Sequence, residues 1–243
     1  MPIITLTTDF GTRDGYVGAM KGVIAREAPA AAIVDIAHEI PRHDITHGAW
    51  VLASATREFP PGTIHVAVVD PGVGGARAEV VARIGDQLYV GPDNGLFALL
   101  PPASEAFSIA APGFRRADAS ATFHGRDVFA VAAARLASGE GPERAGPATQ
   151  LAGRLPWDAS GAGRGHVVHV DHFGNLISDL SPGAARRIRF AGRELAIART
   201  YEAVAVGEPL AYVGSAGTIE IAVRGGRADD AFAATRGMPV ELL

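Results

Sequence analysis

The segment VVDPGVGGAR, residues 68–77, places a carboxylate and a guanidinium at the two ends of a glycine-rich loop. Asp70 ends an apolar run that is typical of a buried strand, and Arg77 closes the loop. Glycines there could bring the backbone close to a substrate on which Asp70 and Arg77 act. The alternative is a simple turn that Asp70 caps while Arg77 is solvated, and the loop taken alone favours this simple turn.

Phosphate binding by the same loop is disfavoured. A dinucleotide-binding turn opens a helix whose amino end faces the pyrophosphate, and a P-loop ends in Gly-Lys-Ser or Gly-Lys-Thr. In this chain the strand-like run AEVVARI follows the glycines, and the loop contains no lysine. Both phosphate-binding interpretations are therefore weak.

Histidines form a second group of candidate side chains. His124, in FHGRD, projects from a loop before a helix that Asp127 is expected to cap. The run HVVHVDH places His166 and His172 on one face of a strand and His169 on the other. A metal site formed by these histidines is therefore one interpretation of this run. Partly buried or edge histidines are the more common outcome of such a pattern.

Two acids are notable because Asp9 and Asp70 each follow a predicted strand. Ligands gather beyond the carboxyl ends of parallel strands. Clustered carboxylates repel one another unless a cation, a hydroxyl-rich ligand or an arginine relieves the repulsion. A ribose diol or a cationic substrate would suit such a pair, whereas Asp14 is expected to cap the helix that follows it.

Composition narrows the class of protein. The chain has 243 residues, of which 48% are hydrophobic and 20% charged, as expected for one or two compact domains. A net charge of -4 and scattered basic residues argue against nucleic-acid binding. The lack of cysteine excludes disulfides, thiolate nucleophiles and cysteine-ligated metals. No apolar run reaches the length of a membrane span and MPIITLTTDF contains no leader, so we expect a cytoplasmic protein without a membrane partner.

Strand and helix patterns alternate in the first part of the chain. Such alternation predicts an α/β domain over residues 1–150, with a mainly parallel sheet flanked by helices. The predicted elements are strand 3–8, helix 15–28, strand 31–37, helix 44–59 with Asp44 as its cap, strand 63–69, two short strands around Gly85-Asp86 and a helix from Asp127 to Gly139.

The composition and the periodicity of the sequence change after this domain. Residues 151–164 are rich in Gly, Pro and Ala with little periodicity, which predicts a linker. Residues 165–243 contain short strand patterns joined by glycine turns. We therefore predict a small all-β, barrel-like domain at the carboxyl end.

Five motifs spread over both predicted domains resemble those of one enzyme family. They are, in order, TTDFGTRDGYVGAMKG, DPGVGGAR, GPDNGLF, TFHGRDVFA and DHFGNLISDL. They resemble the S-adenosyl-L-methionine (SAM) hydroxide adenosyltransferases, SAM hydrolases that form adenosine and are related to the fluorinase and chlorinase. The resemblance implies an α/β domain and a β-barrel. It also implies a homotrimer whose active sites lie between one subunit's first domain and a neighbour's second.

The same resemblance implies catalytic roles. It makes Asp70, Arg77 and His124 the set that positions and activates water, which the halogenases lack. The fluorinase has a tyrosine in place of the aspartate and a serine at the position of Gly125. The implied reaction is hydrolysis of SAM to adenosine and L-methionine, by in-line attack of water on the ribose 5′-carbon. A sulfonium is already a good leaving group, so neither a metal nor a cofactor is expected.

Substrate contacts are also implied by motif position. Asp9 resembles the ligand of the ribose diol, with two acceptor oxygens for two hydroxyls. Asp14 and Asp171 resemble the acids that meet the methionine ammonium, and Ser215 resembles the serine near the amino-acid end. The residues that flank Ser215 differ from the usual family pattern.

Three side chains of the second domain resemble adenine contacts. Phe173 would pack on the base, Asn175 would bind it through its amide, and Tyr201 would stack on it. Three alternatives remain open at this point. They are a chlorinase-like halogenase, a non-catalytic adenosine- or SAM-binding protein, and a metal-dependent hydrolase that uses the histidine-rich strand.

Overall fold

The computed structural model describes residues 1–157 and 163–243, which form two compact units, Met1–Leu155 and Pro156–Leu243. The first unit is a sheet flanked by helices and the second is a closed barrel, so the predicted fold class is confirmed. Part of the predicted 151–164 linker, residues 158–162, lies outside the described residues.

Seven strands and three α-helices form the first unit. In chain order they are β1 Ile3–Thr8, α1 Tyr16–Glu27, β2 Ala32–Ala37, α2 Ile45–Thr56, β3 Ile64–Val68, β4 Glu79–Ile84, β5 Gln87–Pro92, β6 Glu105–Ser108, α3 Ala130–Ala137 and β7 Ala148–Thr149. A π-helical turn, Gly125–Phe129, precedes α3, and a 3₁₀ turn, Pro142–Ala145, precedes β7.

The sheet of this unit is mixed, in the order β2-β1-β3-β5-β4-β6-β7. Neighbours from β2 to β5 are parallel, whereas the β5-β4, β4-β6 and β6-β7 pairs are antiparallel. The prediction of a mainly parallel sheet therefore needs correction. Two residues, Gly85 and Asp86, join β4 to β5, and so short a connection can form only an antiparallel hairpin.

Both faces of the sheet are buried. Along β3, Val66 and Val68 belong to one hydrophobic cluster and Ala67 and Val69 to another, as expected from the two-residue period of a strand. The first cluster is filled from α1 and α3, and the second includes Leu52 of α2. Burial on both faces explains why β3 is continuously apolar apart from His65.

The second unit is a seven-stranded closed barrel in the order β10-β11-β12-β13-β9-β8-β14, with β14 paired back to β10. Its core includes Phe190, Ile188 and Leu176, all buried. Its elements are β8 Arg164–Val170, β9 Leu176–Ser178, β10 Arg187–Phe190, β11 Arg193–Ala198, β12 Pro209–Val213, β13 Ile219–Val223, α4 Ala228–Phe232 and β14 Pro239–Leu242, with a 3₁₀ turn at Tyr201–Ala203.

Of the predicted helix caps, one is confirmed and two are wrong. Asp44 caps α2 by accepting a hydrogen bond from the His47 amide at 3.0 Å. Asp14 does not cap α1, because Gly15 holds the N-cap position without a side-chain hydrogen bond. Asp127 lies inside the π-helical turn. Its carboxylate instead accepts the Ser120 amide hydrogen bond and pairs with two arginines, Arg116 and Arg126.

The histidine-rich strand ends earlier than predicted. β8 stops at Val170, so His172 lies in the following turn and does not share a strand face with His166. Over residues 1–157 and 163–243, no group of three or more His, Asp or Glu side chains could hold a metal ion. Within the same ranges, no helix has the length and apolar character needed to cross a bilayer.

Candidate active site

Two neighbouring parallel strands bring the predicted acids to one edge of the sheet. Thr8 at the end of β1 pairs in register with Val68 at the end of β3, so Asp9 and Asp70 leave the sheet close together. Both line a cavity of about 610 Å³, together with His124. The cavity thus brings together three of the predicted site residues from separate stretches of the chain.

The glycine-rich loop after β3 folds back through two turns. The amide of Val73 donates to the carbonyl of Asp70 at 3.2 Å, and that of Gly75 donates to Gly72 at 2.9 Å. Gly74 has a φ of +75°, and a Cβ at this position would collide with the carbonyl oxygen of Ala121. The glycines therefore permit a tight fold and a close backbone approach.

This loop fold places Arg77 directly on Asp70. The Arg77 Nε donates to Oδ1 at 3.0 Å and to Oδ2 at 3.1 Å, and Nη2 also donates to Oδ2. Both side chains are more than nine-tenths buried. Burial alone would lower the pKa of Arg77, but Asp70 and Glu79 raise it overall above its ordinary value. The simple turn with a solvated Arg77, favoured by the loop in isolation, is wrong.

His124 joins this pair from a distant part of the sequence. Its Nδ1 lies 2.8 Å from Nη2 of Arg77 and 2.9 Å from Oε1 of Glu79. The residue occupies the N-cap of the π-helical turn and is 6% exposed. Burial is the main reason that the pKa of His124 lies below its ordinary value of 6.5. A neutral imidazole near pH 7 follows, and a neutral imidazole can accept a proton.

Sequence reasoning missed Glu79, the first residue of β4. Its Oε1 accepts from Arg77 Nη1 at 3.3 Å, and its Oε2 accepts from Arg115 Nη1 at 2.9 Å. The available signal was spacing, because residues two apart in extended chain share a face. Glu79 lies two positions after Arg77, so its carboxylate could have been predicted to lie on the same face of the chain as the Arg77 side chain.

Asp9 lines the same cavity and is held by a backbone amide. The amide of His43 donates to Asp9 Oδ2 at 2.8 Å. His43 adopts a φ of +65°, which is unusual for a residue other than glycine and often accompanies a functional site. Arg42 and His43 both line the cavity, and neither was among the predicted site residues.

An aromatic group also lines this cavity and was missed. Phe10, Tyr16 and Phe123 meet edge to face, with ring centroids 5.2 to 6.0 Å apart. The guanidinium of Arg126 lies 4.8 Å from the ring centroid of Phe123. A Cβ at Gly125 would lie 3.0 Å from the Phe10 ring, so the wall is closely packed there.

Asp14 does not join this group. Its side chain is exposed, and it lies outside the lining of the cavity that contains Asp9 and Asp70.

In the second unit, three predicted contacts share one turn. Asp171 accepts hydrogen bonds from the amides of Phe173 and Asn175 at 2.9 and 2.8 Å, and from the Asn175 side chain at 2.9 Å. Phe173 is 71% exposed. The turn therefore holds Asp171 and Asn175 against each other and presents an uncovered aromatic ring.

The two remaining predicted contacts lie elsewhere on the barrel. The Tyr201 and Tyr212 hydroxyls are 2.6 Å apart, and Tyr212 donates to Glu220. Burial and the negative charge of Asp171 raise the pKa of Glu220, against a lowering effect of the Tyr212 hydrogen bond. Ser215 is exposed in the turn between β12 and β13. Hydrogen bonds thus connect Tyr201 to Tyr212 and Tyr212 to Glu220, whose pKa the charge of Asp171 raises. The sequence did not indicate this connection.

Comparisons with known proteins agree with this architecture. The family models described as the SAM hydroxide adenosyltransferase N-terminal and C-terminal domains match residues 4–146 and 165–241. A curated (R)-S-adenosyl-L-methionine hydrolase from Thermus thermophilus is 44% identical, over 97% of each chain. Another from Salinispora arenicola is 43% identical, over 97% of this chain and 95% of that protein. The crystal structure of an uncharacterized conserved protein from Thermotoga maritima matches with a TM-score of 0.85 and 34% identity, over 98% of this chain and 99% of that chain.

Proposed function

This chain belongs to the SAM hydroxide adenosyltransferase family, and we propose that it is a hydrolase that converts SAM and water to adenosine and L-methionine. The observation that carries the proposal is the buried cluster of Asp70, Arg77 and His124, of which Asp70 and His124 line the same cavity as Asp9. A carboxylate held in place by a cation and a neutral imidazole can together orient and deprotonate a water molecule.

Displacement at the ribose 5′-carbon demands little beyond a positioned nucleophile. The water oxygen forms a bond to the carbon while the carbon–sulfur bond breaks, and sulfur keeps the electron pair as the thioether of methionine. A water proton must leave as this happens. A positioned base typically contributes about a hundredfold to ten-thousandfold to such a step.

In the proposed mechanism each member of the cluster has one task. Arg77 fixes both oxygens of Asp70. Asp70 orients the water and stabilises the positive charge that develops on it. His124, which is neutral near pH 7 because burial lowers its pKa, holds the water and receives its proton.

Asp9, which lines the same cavity as Asp70 and His124, binds the ribose hydroxyls in this proposal. We further propose a homotrimer in which the remaining contacts come together across subunits. The amino-acid end of the substrate would meet Asp14 and the neighbour's Asp171 and Ser215. Adenine would meet the neighbour's remaining predicted residues, which are Phe173, Asn175 and Tyr201.

The compartment is also a proposal. We place the enzyme in the cytoplasm because the proposed substrate carries a fixed sulfonium charge, and charged molecules do not cross a lipid bilayer readily. An enzyme that consumes SAM should therefore work where SAM is made. Fractionation of cells that express the tagged chain would test this placement, and recovery in a membrane or secreted fraction would contradict it.

The deciding experiment separates nucleoside products by chromatography after incubation with SAM, with and without excess chloride. Wild type should release adenosine in both conditions, and Asp70→Asn should lower kcat at least about a hundredfold. Asp86→Asn, an exposed acid in the β4-β5 turn, is the matched control and should remain fully active.

Three outcomes would overturn the proposal. 5′-Chloroadenosine would identify a halogenase, tight binding of intact SAM would identify a binding protein, and loss of activity with a chelator would identify a metal-dependent hydrolase.

A further inference from the structure

The turn over residues 171–175, which carries three of the predicted substrate contacts, is held by the start of α4. The amides of Ala228 and Asp229 both donate to the carbonyl of Gly174 at 3.1 Å. The first amides of a helix need acceptors from outside the helix, and the Arg227 side chain at the N-cap supplies none. The turn therefore caps α4, and the two segments support each other.

The Arg227 side chain adds a second link to this turn. Its Nη1 donates to the carbonyl of His172 at 3.0 Å. The same guanidinium is held by Asp229, because Nε donates to Oδ1 at 3.1 Å and Nη2 donates to Oδ2 at 2.7 Å. A forked pair of this kind fixes the orientation of the guanidinium plane. Arg227 therefore ties the start of α4 to the backbone immediately before Phe173.

A glycine permits this close approach between the turn and α4. Gly174 has a φ of +81°, a conformation that residues with a side chain rarely adopt. A Cβ at this position would lie 2.4 Å from Oδ1 of Asp229 and 2.8 Å from Cβ of Arg227. The space between the turn and Arg227 is thus too small for any side chain at position 174.

We propose that Arg227 is a positioning residue that fixes the 171–175 turn in the conformation that receives adenine. This inference rests on the proposed function, in which Phe173 and Asn175 contact the base. Arg227 touches no substrate atom in this proposal and acts through the carbonyl of His172. A turn that is already ordered loses less conformational entropy when a ligand binds. Arg227 therefore increases the affinity for the adenosyl group and leaves the chemical step unchanged.

Steady-state kinetics with SAM are the first test. Arg227→Gln should raise KM about five- to tenfold, the effect of losing one hydrogen bond from a charged donor, with little change in kcat. The inhibition constant of the product adenosine should rise by the same factor, because adenosine contacts the same turn. A lowered kcat with an unchanged KM would overturn the proposal, since that result indicates general damage to the fold.

Arg189→Gln is the matched control for these measurements. Arg189 lies on β10, its side chain is 47% exposed against 44% for Arg227, and it pairs with two carboxylates, Glu194 and Glu241. The substitution should leave KM, kcat and the adenosine inhibition constant unchanged. Equal increases in KM in the two variants would contradict a specific role for Arg227.

Amide hydrogen exchange of the SAM-free protein supplies a readout that does not depend on activity. The amides of residues 173–175 all donate to Asp171. Arg227→Gln should increase their exchange rates at least about fivefold, because the turn opens locally more often. The amides of β12 and β13 should keep their rates, which shows that the barrel remains folded. Unchanged exchange at residues 173–175 in Arg227→Gln would overturn the proposal.

The two proposals can fail separately. If wild type does not release adenosine from SAM, the proposed function fails, and amide exchange still decides whether Arg227 orders the turn. If wild type hydrolyses SAM but Arg227→Gln keeps the wild-type KM and adenosine inhibition constant, only the role of Arg227 fails.

Discussion

At the residue scale, the site depends on how four buried charged or polar groups compensate one another. Asp70 and Glu79 place two carboxylates beside Arg77, which donates to both. Such groups are costly to bury alone but tolerable when each is paired and hydrogen-bonded. Arg77 is therefore the residue on which the geometry of Asp70 and His124 depends.

Arg77→Lys should demonstrate this dependence. A lysine ammonium is a point charge that cannot reproduce the forked contacts to Asp70 and the link to His124. We expect kcat to fall about 10- to 100-fold, because small misplacements of catalytic groups cost that much. Steady-state kinetics would measure the change. Arg83→Lys, on a partly exposed arginine of β4, is the control. Equal losses in the two variants would contradict the special role of Arg77.

At the element scale, the loop between β3 and β4 positions the pair through its backbone. Gly74 combines a φ of +75° with a direct approach to the carbonyl of Ala121. Gly62, before β3, has a similar φ of +82°, but a Cβ added there would have no neighbouring atom within 4 Å. A substitution at Gly62 would therefore cause backbone strain alone, whereas the same substitution at Gly74 would cause strain and a steric collision.

Gly74→Ala and Gly62→Ala form a matched pair of variants. Each should lose about 1–2 kcal/mol of stability from the left-handed backbone. Only Gly74→Ala should also displace the loop and reduce kcat, because its new methyl group collides with backbone. Urea unfolding and kinetics would measure both quantities. Full activity in Gly74→Ala would show that the loop can shift without moving Arg77.

His65 on β3 should make the first unit sensitive to acid. The ring is fully buried with Nδ1 2.8 Å from the Thr5 hydroxyl, and burial lowers the pKa of His65 to about 4, against a smaller opposing effect of Gln87. Its unfolded pKa is near 6.5, so the unfolded chain binds the proton first as pH falls. Stability is then lost from about pH 6.5 down to about pH 4, by about 3 kcal/mol in total.

Urea unfolding at several pH values would measure this loss. His65→Gln should flatten the dependence of the unfolding free energy over that pH window, whatever its effect on stability at neutral pH. His172→Gln, at a histidine in an exposed turn, should leave the slope unchanged. A slope that is identical in wild type and His65→Gln would rule out His65 as its source.

At the scale of the whole molecule, the proposed homotrimer predicts complementation between inactive variants. Asp70→Asn impairs the first unit, and Phe173→Ala removes an exposed ring of the barrel. If one site takes its parts from two subunits, coexpression should restore about a quarter of wild-type activity, because random mixing leaves that share of interfaces intact.

Light scattering and activity of the copurified variants would test this assembly. The expected mass is three times the 25.1 kDa of one chain. Sites contained within single chains would show no recovery on mixing, and a monomeric mass would exclude the trimer.

The sequence by itself determined the fold class and the residues with which chemistry could be done. Strand and helix periodicity are local, so β1, α1, β2, α2 and β3 were predicted nearly to their ends. The five motifs indicated the family because each is a contiguous run with restricted residue types. Asp9 and Asp70 were expected together because both follow neighbouring parallel strands.

Only the tertiary structure decided which side chains meet. The contact between Arg77 and His124 spans 47 residues and depends on the packing of the π-helical turn against α1 and β5. The isolated loop favoured a solvated Arg77, because nothing local shows that burial will force the guanidinium onto Asp70. Glu79 gains its contacts to Arg77 and His124 in the same way. The pattern of residues along a segment indicates which helix or strand that segment can form. The contacts between distant segments are determined by the packing of the whole unit.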